Sequence, residues 1–187
     1  MSRNYNYWAT DDITCQNQKT NKKAIKNQEI TFKLIDDIGG LKGKVLDIGD
    51  RNVVTSLLEE KYNIKIENTT GDLDEKLKLG EKDTYDFVHY NNVIEHQFNP
   101  LLTLIQIKEV LKKDGLLILG TPLKPKWITS AKCHFHEFDE YTYINLINRA
   151  GFEEIKRDHF YKQYSIKGIR NILGSFYNRQ VVSILKK

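Results

Sequence analysis

Three short stretches carry the side chains able to do chemistry. The first, Val45-Leu46-Asp47-Ile48-Gly49-Asp50-Arg51-Asn52, ends an apolar run in an acid and then a glycine. Glycine there lets the backbone come close to a ligand, and a following helix presents unpaired N–H groups. A dinucleotide pyrophosphate asks for Gly-x-Gly-x-x-Gly, because it needs bare backbone. Only Gly49 is present, which argues against a nicotinamide or flavin dinucleotide. The second stretch, Tyr90-Asn91-Asn92-Val93-Ile94-Glu95-His96, gathers Tyr90, Asn91, Asn92, Glu95 and His96. The third, Cys133-His134-Phe135-His136-Glu137-Phe138, sets two histidines at i and i+2, on one side of an extended chain. Imidazoles titrate near neutrality, so His96, His134 and His136 are the candidate catalytic groups for moving a proton. Each stretch also has a plainer reading. Asn92 and Glu95 suit a helix start, and the paired histidines suit one solvated and one hydrogen-bonded side chain.

Stepwise periodicity predicts the elements that hold these residues. Gln18 to Ile38 reads as one helix, with Ile30, Leu34 and Ile38 at i, i+4 spacing and Gly39-Gly40 as its stop. Lys44 to Ile48 reads as a buried strand, Val53 to Tyr62 as a helix, and Ile64 to Glu67 as a second strand. Tyr85 to Tyr90 is a third strand. Asn99 to Lys113 is a helix with an apolar stripe of Leu101, Leu104, Ile107 and Leu111, and Gly115 reads as its left-handed cap. Leu116 to Gly120 is the most strand-like stretch. Asp139 caps a helix that ends at Gly151, and Phe152 to His159 and Gln180 to Leu185 close the chain as two strands. Strands alternating with helices imply a doubly wound α/β sheet, whose ligands bind at the carboxyl ends of the strands. All three polar stretches leave such ends.

With 187 residues the chain suits one domain. No apolar run approaches the roughly 20 residues of a membrane helix. Met1 to Thr20 has no apolar core, so no secretory signal is expected, and two cysteines, Cys15 and Cys133, fit a reducing cytoplasm. The net charge of +4 is uneven: Ile155 to Lys187 holds eight Lys/Arg and one acid, Asp158. That segment is either a solvated basic rim or a surface for phosphate groups, on a small acceptor or on nucleic acid.

In order and content the sequence resembles class I S-adenosylmethionine-dependent methyltransferases of the small-molecule, type 11-like subgroup. The resemblance runs from about residue 41 to 187. It is carried by Val45-Leu46-Asp47-Ile48-Gly49, by Tyr85-Asp86-Phe87-Val88 with Asn92-Val93-Ile94-Glu95-His96, by Val110 to Ile118, and by His136-Glu137-Phe138 through Ala150-Gly151-Phe152. It implies a Rossmann-like sheet, mostly parallel, with an antiparallel C-terminal edge hairpin. Asn68 to Thr84 is short for the usual helix and strand, so fewer than seven strands are expected. The resemblance divides the chain into an N-terminal segment and helix, 1–40, on the lid or acceptor side, and a methyltransferase-like domain, 41–187. It implies S-adenosylmethionine as cofactor, held by Asp47, Gly49, Asp50, Tyr90, Asn91 and Asn92. Glu67 is favoured as the ribose-binding acid, with Asp72 and Asp74 competing. Tyr90, Tyr5, Tyr7 or Trp8 would face the sulfonium. The family's second and third glycines fall at Arg51 and Val53, where a side chain would crowd the cofactor.

Two narrower readings follow from the resemblance. Small-RNA 2′-O-methyltransferases carry Glu-x-x-Glu-His after this strand, with a later histidine, and hold a divalent metal. Here Asn92 replaces the first acid; Glu95, His96 and either His134 or His136 would suit Mn, Fe or Zn rather than Mg. Cys133 lacks a Cys-x-x-Cys partner for zinc. Arg51 in the loop would instead favour a binding module without catalysis. The expected activity is methyl transfer to an oxygen or nitrogen of a small or phosphate-bearing acceptor.

Overall fold

A computed structural model describes residues 21–70, 79–124, 134–161 and 179–187. The expectations for Tyr5, Tyr7, Trp8, Asp72, Asp74 and Cys133 lie outside the described residues. In chain order the elements are helix α1 (Asn21–Asp37), strand β1 (Val45–Asp47), α2 (Val53–Tyr62), β2 (Ile66–Asn68), β3 (Tyr85–Asn91), a 3-10 turn (Ile94–His96), α3 (Pro100–Val110), β4 (Leu111–Leu123), α4 (Glu140–Ala150), β5 (Glu153–Tyr161) and β6 (Arg179–Lys186).

The six strands form one sheet in the order β2-β1-β3-β4-β6-β5. β1 pairs in parallel with β2 and β3, and β3 with β4, whereas β6 runs antiparallel to both β4 and β5. The crossovers through α2 and α3 require the parallel pairs, and the return at the edge gives the antiparallel one. This is the expected Rossmann-like architecture, with six strands among the described residues and the antiparallel strand where Gln180 to Leu185 was placed.

Two apolar layers flank the sheet. Alternation along the strands sends Val45, Ile66, Phe87, Ile118, Val182 and Ile184 to one face, against Leu34 and Ile35 of α1 and Leu58 of α2. Leu46, Val88, Tyr90, Leu117 and Leu119 go to the other, against Leu104 and Ile107 of α3 and Tyr143 and Ile147 of α4. Helix α1 is therefore part of the core of the sheet.

Several boundaries differ from the sequence expectation. α3 ends at Val110, and Gly115 is not a left-handed cap. Leu111 is already extended, is fully buried and pairs with Tyr85. Burying that leucine against β3 outweighs three more residues of helix. The exposed Lys112-Lys113-Asp114 then rides over a register shift between Tyr85 and Phe87. β2 begins two residues later than expected, because Asn63 takes a left-handed cap and Ile64 N–H still bonds to Glu59 of the helix.

Candidate active site

The loop after β1 is held from three sides. Asp47 is buried, and its carboxylate accepts from Thr55 Oγ1 at 2.6 Å, Asn68 Nδ2 at 3.2 Å and His89 Nδ1 at 2.8 Å. Gly49 has φ of +116°, a conformation side chains rarely adopt. Its N–H donates to Thr69 Oγ1 at 2.7 Å, and its carbonyl accepts from Asn68 Nδ2 at 3.1 Å. Open space surrounds it: an added Cβ would meet only Val93, at 3.7 Å. Strain, not crowding, therefore reserves this position for glycine. Asp50 is exposed beside it, with its carbonyl bonded by Asn52 Nδ2. Asn52 is the N-cap of α2 and closes a capping box with Thr55.

Arg51 pairs with the helix that follows the loop. Its guanidinium forks onto Glu59 of α2, with Nη1 to Oε1 at 3.1 Å and Nη2 on Oε2. Glu59 also accepts from Ile66 N–H, and these donors, Arg51 first, hold its carboxyl down to about 2.

Two expected cofactor contacts are placed elsewhere, each for a structural reason. Glu67 alternates away from Asn68. Its carboxylate meets Tyr85 hydroxyl at 2.7 Å and Lys44 at 3.3 Å, residues at the amino ends of β3 and β1. Asn68 is the β2 residue that reaches the glycine loop. Tyr90 is fully buried in the core on the α3 side, and its hydroxyl donates to Gln97. Asn91 points to the α1 side. It donates to Gln28 Oε1 at 2.7 Å, accepts from Gln180 Nε2 at 3.3 Å, and lies over Gly120, where an added Cβ would come within 2.0 Å of its Oδ1. Asn92 turns the chain in the left-handed region, φ 57°, with its N–H on Gly120 carbonyl.

The histidines divide. Glu95, His96 and His134 offer ligand atoms that all lie within 4.8 Å of one another, and the rings of His96 and His134 meet edge to face at 4.9 Å. Two backbone bonds, from Phe135 N–H and His136 N–H to Glu95 carbonyl, clamp the loops together. Thr121 Oγ1 orients Glu95 Oε2 at 3.1 Å, leaving Oε1 at 3.9 Å from His96 Nε2. His134 Nδ1 lies 3.1 Å from Glu137 Oε1, which Lys124 also pairs at 3.0 Å. Burial, then the neighbouring His96 and Lys124, pushes His134 down to about 4, so it is neutral at physiological pH. His136 lies apart. It donates from Nε2 to Phe98 carbonyl at 3.3 Å, stacks on Phe138, and lines an open groove of about 740 Å³ between Pro100 and Asn145, Leu146 and Arg149 of α4.

Thr55, Asn68, Thr69 and His89, which hold the loop after β1, stand in no functional motif of the sequence. The signal for Asn68 is its register opposite Asp47 in the parallel pair, visible only once β2 is correctly bounded.

A family described as "Methyltransferase domain" matches residues 26–159, which span the glycine loop, both histidine loops and α4. The chain belongs to this family. A methyltransferase domain thus spans most of the chain. Solved structures share its fold. A SAM-dependent methyltransferase from Archaeoglobus fulgidus superposes with a TM-score of 0.61 at 15% identity, covering 86% of this chain and 94% of that one. A Burkholderia thailandensis 1,6-didemethyltoxoflavin-N1-methyltransferase, solved with S-adenosylhomocysteine, gives 0.58 at 14% identity, covering 86% and 78%. The [4+2]-cyclase SpnF gives 0.60 at 11% identity, covering 86% and 80%. At such identities the likeness concerns the fold alone. No curated protein matches the sequence. Among the described residues no helix is long and apolar enough to cross a membrane.

Proposed function

We propose that the chain methylates an oxygen or nitrogen of a small acceptor in the cytoplasm, with the segment before β1 on the acceptor side. The observation that carries this is the cluster of Glu95, His96 and His134, joined from two loops at the carboxyl edge of the sheet. S-adenosylmethionine supplies an electrophilic methyl group on a sulfonium. The protein's part is to align donor and acceptor, exclude water and take the acceptor's proton. Gly49, Asp47 and Asp50 form the cofactor side, tied to β2 by Asn68 and Thr69. His96 takes the proton, with the Glu95 carboxylate 3.9 Å from its Nε2. His134, neutral and oriented by Glu137, presents Nε2 to the same space.

A phosphate-bearing acceptor or RNA has less support. Among the described side chains of the basic C-terminal segment, Lys156, Arg157, Lys186 and Lys187 each pair with a carboxylate: Asp37, Glu154 and Glu140, Asp114, and Asp83. The test is transfer of radiolabelled methyl from S-adenosylmethionine to a panel of phenols, alcohols, amines and sugar phosphates, with total RNA alongside. Label in a small hydroxyl or amine product, lost in His96→Ala, supports the reading. Label in RNA alone replaces it with nucleic-acid methylation.

The same cluster supports a second reading, in which Glu95, His96 and His134 hold a divalent ion. Two imidazoles and a carboxylate suit Zn, Mn or Fe, and Glu137 on the far side of His134 is the usual orienting partner of a metal-bound imidazole. Such an ion would lower the pKa of an acceptor hydroxyl. Activity unchanged by EDTA leaves the metal-free mechanism.

A further inference from the structure

The α1-facing side of the sheet changes character along its strands. Val45, Ile66, Phe87, Ile118 and Val182 make an apolar layer. Towards the carboxyl edge the same alternation brings Asp47, Asn68 and His89 to that face in one row, then Asn91 opposite Gly120, with Gln180 of β6 one pleat further, opposite Pro122. From α1, Gln28 and Thr31 cover this polar layer. Gln28, Thr31, Asp47, His89 and Gln180 are all buried.

Partners inside the layer are nearly complete. Asp47 accepts from three donors, and Asn91 uses both ends of its amide on Gln28 and Gln180. The exception is His89. It is 3% exposed, its Nδ1 lies on the Asp47 carboxylate, and its Nε2 has no hydrogen-bond partner among the described residues. A carboxylate can only accept here, so Nδ1 is the nitrogen that donates to Asp47, and in the neutral imidazole Nε2 is then the acceptor. Buried acceptors are almost always satisfied, and one left over in a native structure calls for an explanation.

We infer that His89 Nε2 accepts a hydrogen bond from the α-ammonium group at the amino-acid end of S-adenosylmethionine, which makes His89 a cofactor-binding residue. This rests on the cofactor assignment above. Three observations favour that group over other parts of the molecule. His89 joins the glycine loop directly, through Ile48 N–H to its carbonyl and through Asp47 to its side chain. The Asp47 carboxylate beside it favours a cation. Of the two cations in the cofactor, the sulfonium has no N–H or O–H to donate, whereas the ammonium has three. The Asp47 bond also fixes the imidazole in the tautomer an ammonium requires.

The test compares two ligands, S-adenosylhomocysteine and 5′-methylthioadenosine. Both carry adenine, ribose and a thioether, and only the first has the amino-acid end. Calorimetry on the full chain is run with wild type and with His89→Leu, which keeps similar bulk and removes the acceptor. A hydrogen bond to a charged donor predicts that His89→Leu weakens S-adenosylhomocysteine about 10- to 100-fold and leaves 5′-methylthioadenosine unchanged. Equal binding of S-adenosylhomocysteine by both proteins overturns the assignment. Equal loss of both ligands also overturns it, because His89 then acts only through the fold. Wild type that binds neither ligand overturns the cofactor reading itself. If His89→Leu does not fold, imidazole nitrogen shifts in wild type decide. The Nε2 signal should move with S-adenosylhomocysteine and stay with 5′-methylthioadenosine, and a signal unmoved by both rejects the contact.

Discussion

At the scale of single residues, the glycine loop works through conformation and through what neighbours keep out of it. Gly49 holds φ +116° in open space, so a valine there is penalised by the backbone alone. Left-handed backbone costs an L-residue about 1–2 kcal/mol, which predicts that Gly49→Val binds S-adenosylhomocysteine about tenfold more weakly or worse by calorimetry. Unchanged affinity would place the cofactor elsewhere. The Arg51 guanidinium is held on the Glu59 carboxylate. The folded carboxyl is lowered from the ordinary 4.5 to about 2, chiefly by Arg51. A lowered acid contributes stability above its unfolded value, and that contribution is lost as pH falls through the folded value. The pair is therefore complete above about pH 4.5 and is lost as the pH falls towards 2. Glu59→Gln removes this dependence at any pH. It should weaken cofactor binding while Arg51→Ala does not, since only the first variant frees the guanidinium.

At the scale of elements, two packing details decide where side chains arrive. β4 can pass beneath Asn91 only because residue 120 has no side chain. Gly120→Ala would force Asn91 off Gln28 and Gln180, an overpacking cost of about 1–3 kcal/mol measurable by urea denaturation. A variant as stable as wild type would mean the strand shifts freely. The other detail is the start of α4, which orders the approach of the histidine loop. Asp139 accepts from Thr142 N–H at 2.7 Å, with the reciprocal bond from Asp139 N–H to Thr142 Oγ1. Asp139→Ala should cost about 1 kcal/mol of stability. It should also weaken any metal at Glu95, His96 and His134, because His134 lies five residues upstream.

At the scale of the whole molecule, α1 and the C-terminal hairpin are one structural unit. Ile184 of β6 is fully buried against the α1 side, and Lys33 and Lys156 bridge α1 and β5 through Asp158 and Asp37. Ile184→Ala should cost about 2–5 kcal/mol, far more than breaking either exposed ion pair. Hydrogen exchange should then rise in α1 as well as in β6. If α1 keeps its protection, it folds independently of the sheet edge.

The strand–helix alternation, the cap at Asp139 and the shortage of chain between β2 and β3 are readable in the sequence, whereas the antiparallel last strand is implied by the family resemblance. The first three depend on local spacing or chain length, and both are written in residue order. What only the tertiary structure decided is where side chains end up. Ending β2 one residue short, at Glu67, is enough to miss Asn68 as its last residue, and alternation sends Glu67 and Asn68 to opposite faces of the sheet. Tyr90 reads as a ring for the sulfonium, yet its parity on β3 buries it on the α3 side. His134 and His136 share a side in an extended chain, but the stretch between them is not a strand. Glu95 carbonyl accepts from both Phe135 and His136 N–H, which turns the backbone and leaves His134 with His96 and His136 over the groove. The bare nitrogen of His89 has no sequence signal at all. It exists only because a parallel register puts His89 opposite Asp47, 42 residues away in the chain.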